Sequence, residues 1–332
     1  MVILELVRAV GAIADGASAQ VPISSGADLE LARRWADRTG NTIIGSTVDD
    51  AGLGTVKVRR GRPSDPALTL GTDRLPGARL WFYTNFHCNL ACDYCCVASG
   101  PTVPHRELGV ERIARLVAQG VQWGVREIYL TGGEPMLLAD IDEIVRICAD
   151  QLPTTLLTNG MLFQGRRLRA LQAMPREGFA LQISLDSATP TAHDAHRGAG
   201  SWTKAVDGIR IALDLGFRVR VAATIASPDP ALFTDLHGFL DDLGIARPDQ
   251  VVRPVAHQGV AEEGVQLTRD TLVPEVTVTS DGVYWHPVSA TDEHALVTTQ
   301  LEPLGPTLDH ISELFTAQWA ATSSATALFP CA

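Results

Sequence analysis

Four of the chain's six cysteines lie between positions 88 and 96. Three of them, Cys88, Cys92 and Cys95, form a C-x3-C-x2-C loop directly after an apolar, strand-like stretch. Thiolates are soft ligands, and three at this spacing can each hold one iron of a [4Fe-4S] cubane. A cubane normally takes four cysteines. With three, one iron keeps an open position for a substrate or cofactor, the logic that separates catalytic from structural zinc sites. The competing chemistry is a structural zinc site in which Cys96, His87 or His105 completes the trio. Zinc sites usually combine two ligand pairs, and no second pair stands here. Cys96 follows a ligand immediately and is expected to point away from the trio as a core or wall thiol. Cys148 falls on an apolar helical stripe and is expected in the core.

Further polar residues gather where strands should end. Gly132-Gly133-Glu134-Pro135 joins two residues without a Cβ, which let backbone approach a ligand, to a carboxylate that could meet an ammonium group. Thr158-Asn159-Gly160, then Ser184-Leu185-Asp186-Ser187 and His196-Arg197-Gly198 follow at later strand ends; each alone reads better as ordinary turn or cap chemistry. Arg253 and His257, beyond a sixth strand, are candidates to face a substrate.

The elements that must position these residues alternate. Apolar and β-branched runs predict strands at 80–86, 127–131, 154–158, 180–186, 218–226 and 250–255. Helical spacing links them, in Val110, Ile113, Val117; Ile141, Ile144, Val145, Cys148; Val206, Ile209, Leu213; and Leu232, Leu236, Phe239. This alternation predicts βαβ units and a parallel sheet, open or barrel-like, with its chemistry beyond the carboxyl ends of the strands. Ahead of it, residues 1–60 read as a small α+β unit. A helix carrying Ile3, Leu6, Val7 and Val10 is followed by a strand at 20–23, a helix at 28–37 and strands at 42–48 and 55–59, with Gly52 and Gly54 suited to the last turn. Residues 61–79, with Pro63, Pro66 and Pro76, read as a linker. Residues 257–332 read as irregular, then β-rich at 275–279 and 283–286, and end in a helix with Leu308, Ile311 and Phe315 on one face.

The 332 residues carry a net charge of −11 and no long basic run, which argues against nucleic acid as a partner. The N-terminal stretch is interrupted by Glu5, Arg8 and Asp15, unlike a signal peptide, and no apolar run approaches membrane-spanning length. A cytoplasmic location is expected, with no membrane partner.

The cysteine loop, followed at the next strand end by Gly132-Gly133-Glu134-Pro135, resembles the radical S-adenosylmethionine (SAM) superfamily over residues 80–256. The Thr-Asn-Gly, Ser-Leu-Asp and Arg-Gly elements resemble its molybdenum-cofactor-type and peptide-modifying branches. The resemblance implies an α/β fold, a partial (β/α)6 TIM-like barrel, with the small α+β domain in front and a C-terminal extension, 257–332, capping it. It implies a [4Fe-4S] cluster on Cys88, Cys92 and Cys95 whose open iron chelates the amino and carboxylate groups of SAM. Tyr94 is the aromatic residue usual before the third cysteine. Gly132, Gly133, Glu134 and Pro135 would position the SAM amino group, Thr158 and Ser184 its ribose and methionyl parts, and Asp186 and Arg197 would join these contacts. Thr279 to Pro287 looks like a SPASM or twitch extension, yet His286 stands where a cysteine is expected and only Cys331 remains downstream, so a single cluster is expected. The α-β-α-β-β order of residues 1–60 resembles the sulfur-carrier (TusA-like) fold without its cysteine.

The activity so implied is reductive cleavage of SAM, using an external flavodoxin- or ferredoxin-type donor. The 5′-deoxyadenosyl radical then removes hydrogen from a small-molecule substrate, a nucleoside or sugar intermediate in specialised metabolism. A ribosomal-peptide maturase and a non-catalytic iron–sulfur or zinc module are the alternatives. The outcome of the substrate radical is not written in the sequence.

Overall fold

The computed structural model describes residues 2–14, 16–49, 53–61, 66–225, 230–321 and 331; Asp15, Gly52 and Pro63, named above, and the last residue of the strand expected at 218–226 lie outside them. The chain divides into two compact units, Met1–Leu75 with Ser312–Ala327, and Pro76–Ile311 with Leu328–Ala332.

The first unit holds α1 (Val2–Gly11), β1 (Ser18–Ile23), α2 (Gly26–Arg38), β2 (Thr42–Val48), β3 (Gly54–Arg59) and a short α3 (Pro66–Leu70) inside the stretch read as linker. Its sheet runs β1-β3-β2, antiparallel throughout. Val2, Leu6 and Val10 recur every fourth residue on α1 and are buried with Val21, Ile23, Val56 and Val58 of the sheet and Ala32, Trp35 and Ala36 of α2. Ser25 starts α2 by accepting a hydrogen bond from the Asp28 amide at 3.1 Å.

The second unit alternates strand and helix: β4 (Arg79–Tyr83), α4 (Val110–Trp123), β5 (Glu127–Thr131), α5 (Ile141–Ala149), β6 (Thr154–Thr158), α6 (Gly165–Ala173), β7 (Phe179–Ser184), α7 (Pro190–Arg197), α8 (Ser201–Asp214), β8 (Arg218–Ile225), α9 (Pro230–Asp242) and β9 (Gln250–Pro254). These six strands pair in chain order, each parallel to the next. Every residue of β4 is buried, as expected of a strand covered on both faces. On α4, Ile113, Leu116, Val117 and Gly120 form the buried stripe, and Gly124 ends the helix in the left-handed conformation.

The C-terminal segment continues the sheet. β10 (Thr277–Val278) lies parallel to β4, and β11 (Val283–Tyr284) and β12 (Leu296–Thr298) follow antiparallel, giving the order β12-β11-β10-β4-β5-β6-β7-β8-β9. The sheet is therefore an open, partial barrel. Glu275 anchors this addition, accepting the Trp81 indole N–H at 2.7 Å and lying 3.5 Å from the Arg79 guanidinium. Among the described residues, helix α10 (Leu304–Ala321) is the last regular element.

Candidate active site

One cavity opens at the carboxyl ends of β4 to β9, with about 1050 Å3 of empty space including its mouth. Cys88, Cys92 and Cys95 line it together, with Tyr94, Gly132, Gly133, Thr158, Ser184, Arg197 and Arg253. The loop therefore sits where parallel α/β sheets place their chemistry.

Two loop sulfurs already accept backbone hydrogen bonds, Cys88 from Leu90 at 3.4 Å and Cys95 from Ser99 at 3.3 Å. Burial pushes the Cys88 thiol up to about 12 and raises Cys92 as well. Thiolates here need a cation to offset desolvation, which a metal's own charge supplies. The trio, its N–H donors and its shared cavity thus fit an iron–sulfur cluster. Cys96 is a wall thiol of the same cavity, pushed to about 12 by burial, and Cys148 is core.

The double glycine is explained first by packing. Gly133 and Glu134 donate their amides to the carbonyls of Asn85 (3.0 Å) and His87 (3.1 Å), so the β5 end is laced to the chain entering the cysteine loop. A Cβ on Gly133 would lie 2.2 Å from the His87 carbonyl oxygen. From the other side, Val260 donates to the Cys95 carbonyl at 3.0 Å, and a Cβ on Gly259, whose φ is +64°, would lie 2.2 Å from that oxygen.

Glu134 itself is fully buried and is not among the cavity residues. Its Oε1 accepts from Thr158 Oγ1 at 2.7 Å and the Met136 amide at 2.9 Å, and its Oε2 accepts from the Asn159 amide at 2.7 Å. Burial raises this carboxyl, and those three donors work against the rise. Its carboxylate thereby acts as a knot between the ends of β5 and β6. Pro135 is likewise buried off the cavity, opening the short turn that Glu134 caps. Thr158 lines the cavity, but its hydroxyl is spent on Glu134.

Asp186 is also buried off the cavity. Arg197 donates to it through Nε at 2.6 Å and a terminal nitrogen at 3.2 Å, the Thr224 amide at 2.9 Å, and Tyr94 through its hydroxyl. Burial alone would raise the Asp186 carboxyl; the Arg197 guanidinium, with these N–H and O–H donors, holds it below the usual range. Arg197 is driven the other way, well above its ordinary value, because Asp186 outweighs the burial that opposes its charge. The Asp186 amide donates to His193 Nδ1 at 3.1 Å, and burial lowers that imidazole to about 4.

Arg253 lines the cavity, donating to Thr224 Oγ1 at 3.1 Å and to the Cys331 carbonyl at 2.8 Å, which Gln182 also holds at 2.9 Å. His257 is off the cavity, exposed, with its ring against the Gln266 side chain. His286 is buried, lowered to about 3 by burial, and is not a cavity residue. Sequence reasoning missed Asn89, which accepts from the Asn159 side chain at 2.8 Å, and the cavity residues Tyr83 and Thr224. Tyr83 and Thr224 lie at strand ends and Asn89 directly follows the first loop cysteine, and those positions were the available signals.

The sequence profile of the Radical SAM superfamily matches residues 83–228. The chain is 37% identical over 140 residues to molybdenum cofactor biosynthesis protein 1 of Drosophila melanogaster, covering 40% of this chain and 24% of that protein. It is 30% identical over 192 residues to the GTP 3′,8-cyclase of Listeria welshimeri, 56% of this chain and 57% of the relative. The match thus spans only part of these relatives' own length. Among solved structures, native anSMEcpe with bound AdoMet aligns at a TM-score of 0.54 and 13% identity, over 73% of this chain and 84% of the other. Streptococcus suis SuiB bound to S-adenosylmethionine aligns at 0.50 and 19%, over 59% and 45%. Both alignments support the partial-barrel fold. The comparisons lend no support to a sulfur-carrier likeness of the N-terminal unit.

Proposed function

We propose that this chain, whose residues 83–228 match the Radical SAM superfamily, binds SAM and a small-molecule substrate of nucleoside or sugar class in the cavity above the cysteine loop. Cys88, Cys92 and Cys95 would hold the [4Fe-4S] cluster. When bound, the cluster supplies the electron for reductive cleavage of SAM, whose 5′-deoxyadenosyl fragment removes hydrogen from the substrate. The observation that carries this reading is the meeting of the three thiols with Gly132, Gly133, Ser184 and Arg197 on one cavity wall.

The protein's own part is to bind, orient and exclude water. A guanidinium has five N–H donors. Arg197 directs two of its nitrogens at Asp186, and its remaining donors would meet the SAM carboxylate from the cavity wall. The backbone of Gly132 and Gly133 would approach the amino end, and Ser184 would donate to the ribose or methionyl part. Tyr94 would support the cluster side of that pocket through Asp186. Thr158 on the wall, with Glu134, Pro135 and Asp186 behind it, would fix the strand ends. Trp81, Tyr83, Val97 and Val288 line the remaining wall with largely apolar surface that keeps solvent from the reacting atoms.

The relatives named above suggest a guanine nucleotide as the reference substrate. Among the described residues, Arg197 and Arg253 are the lysine or arginine side chains lining the cavity, and both are engaged by protein partners. That is thin counter-charge for a triphosphate, so we favour a less charged nucleoside or sugar, with Arg253 facing it and His257 outside the cavity. An external flavodoxin- or ferredoxin-type donor would supply the electron. Among the described residues no helix is long and apolar enough to cross a membrane, and we place the reaction in the cytoplasm.

Anaerobic reconstitution with iron and sulfide, then dithionite and SAM, tests the proposal. Release of 5′-deoxyadenosine, lost in Cys88→Ala, Cys92→Ala and Cys95→Ala but kept in Cys148→Ala, is expected. A fully loaded protein that released none would overturn it.

A further inference from the structure

Beyond the end of β4, the chain forms an antiparallel bridge between Asn85 and Glu107. Continuing that register sets residue 86 against 106 and residue 87 against 105, and side chains alternate between the two faces. On one face the Arg106 guanidinium sits 4.2 Å from the Phe86 ring centroid and pairs with Asp281. On the other face His87, His105 and Glu107 come together. The two imidazole rings lie 3.7 Å apart, fanned by 35°. One ligand atom from each of the three side chains lies within 4.8 Å of the others.

Three observations bear on what this group does. The Nδ1 of His87 is buried and has no hydrogen-bond partner. His105 Nδ1 lies 3.9 Å from Glu107 Oε1, too far for a hydrogen bond, so the set does not satisfy itself internally. His105 and Glu107 are exposed, so their side chains are free to swing onto an ion, while the His87 backbone is pinned by the Glu134 amide at 3.1 Å.

We propose that His87, His105 and Glu107 bind one divalent transition-metal ion, with zinc as the reference case, through two imidazole nitrogens and one carboxylate oxygen. Two nitrogen donors select against calcium and magnesium, and a mixed N/O set with open positions for water suits zinc and its neighbours. The site is separate from the thiol trio, since none of its three residues lines the cavity those thiols share. Bound metal would clip the 105–107 segment to the residue immediately before Cys88.

The test uses holoprotein with its iron–sulfur cluster loaded, dialysed anaerobically against zinc chloride, with iron and zinc per chain both measured. One zinc above the iron content is expected, bound at least about tenfold more weakly in His105→Ala and in Glu107→Gln, with iron unchanged. Both replaced side chains are exposed, and circular dichroism checks that the variants fold. Zinc X-ray absorption is expected to show N/O neighbours at about 2.0–2.1 Å and no sulfur at about 2.3 Å. No zinc uptake by the wild-type protein, equal uptake by the variants, uptake only in exchange for iron, or sulfur in the zinc shell would each overturn the proposal. None of these outcomes depends on SAM cleavage, so failure here and failure of the proposed activity are distinguishable.

Discussion

Thr158 donates its hydroxyl to Glu134 Oε1 at 2.7 Å, tying the end of β6 to the turn after β5 at the rim of the cavity. A hydroxyl positioned to reach a ligand is thereby committed to a buried carboxylate. Thr158→Val keeps the shape and removes that donor, leaving the Glu134 carboxylate short of one partner. A loss of about 1–3 kcal/mol is expected, read by urea unfolding. SAM affinity should fall with it, because the wall formed by Gly132 and Gly133 is held by the same turn. Unchanged stability would show that the Glu134 knot carries little.

Arg197 and Asp186 form the second buried tie, between α7 and the β7 end, at side-chain exposures of 9% and 4%. Removing one partner of such a pair strands a buried charge and typically costs about 3–5 kcal/mol, while replacing both is milder. Arg197→Met is therefore expected to unfold the second unit more readily than the double change Arg197→Met with Asp186→Asn. If the double variant is as damaged as the single one, the pair is held by Tyr94 and Thr224 and not by mutual charge.

How much of this was legible follows from what each element buries. The parallel strands were read correctly because both faces of a strand such as 79–83 are covered, leaving unbroken apolar runs. Helix α7 was missed because it buries His193 and Arg197 in place of an apolar stripe; Pro190 at its first turn was the sole local signal. The cysteine loop and the strand-end motifs were placed by spacing alone. Which of those motif residues face the cavity was not, since Glu134 and Asp186 differ from their neighbours only in which long-range donors surround them. Strands β10 and β11 were expected in sequence and β12 was not, and the pairing of β10 onto β4 is a non-local event that no local pattern encodes.

Two glycines should respond with opposite sign. Gly133→Ala drives a Cβ to 2.2 Å from the His87 carbonyl oxygen, so backbone must move at the entrance to the cysteine loop. Iron bound per chain after reconstitution is expected to drop by half or more, on the order of the tenfold or greater loss of affinity seen when a site's supporting shell is disturbed. Gly238→Ala, within α9 and with nothing inside 4 Å of its Cβ, is expected to stabilise by up to about 1 kcal/mol with iron unchanged. Full iron loading in Gly133→Ala would mean that the loop is not set by this close approach.

Two buried histidines make stability depend on pH in a predictable direction. Burial lowers His193 to about 4 and His286 to about 3, so both stay neutral in the folded chain. In the unfolded chain they take up a proton near pH 6.5. Between about 6.5 and 4 the unfolded state binds more protons, and stability falls as pH is lowered, at up to about 1.4 kcal/mol per unit for each histidine. Glu134, raised by burial, pulls the opposite way toward the lower end, so the slope is best read just below pH 6.5. His286→Leu loses the hydrogen bond that His286 Nδ1 accepts from the Val288 amide at 3.2 Å, lowering stability at neutral pH. It should nevertheless flatten the slope by about half. Urea unfolding of both proteins between pH 7 and 5.5 measures it, and an unchanged slope in the variant would show that His286 protonates in the folded state.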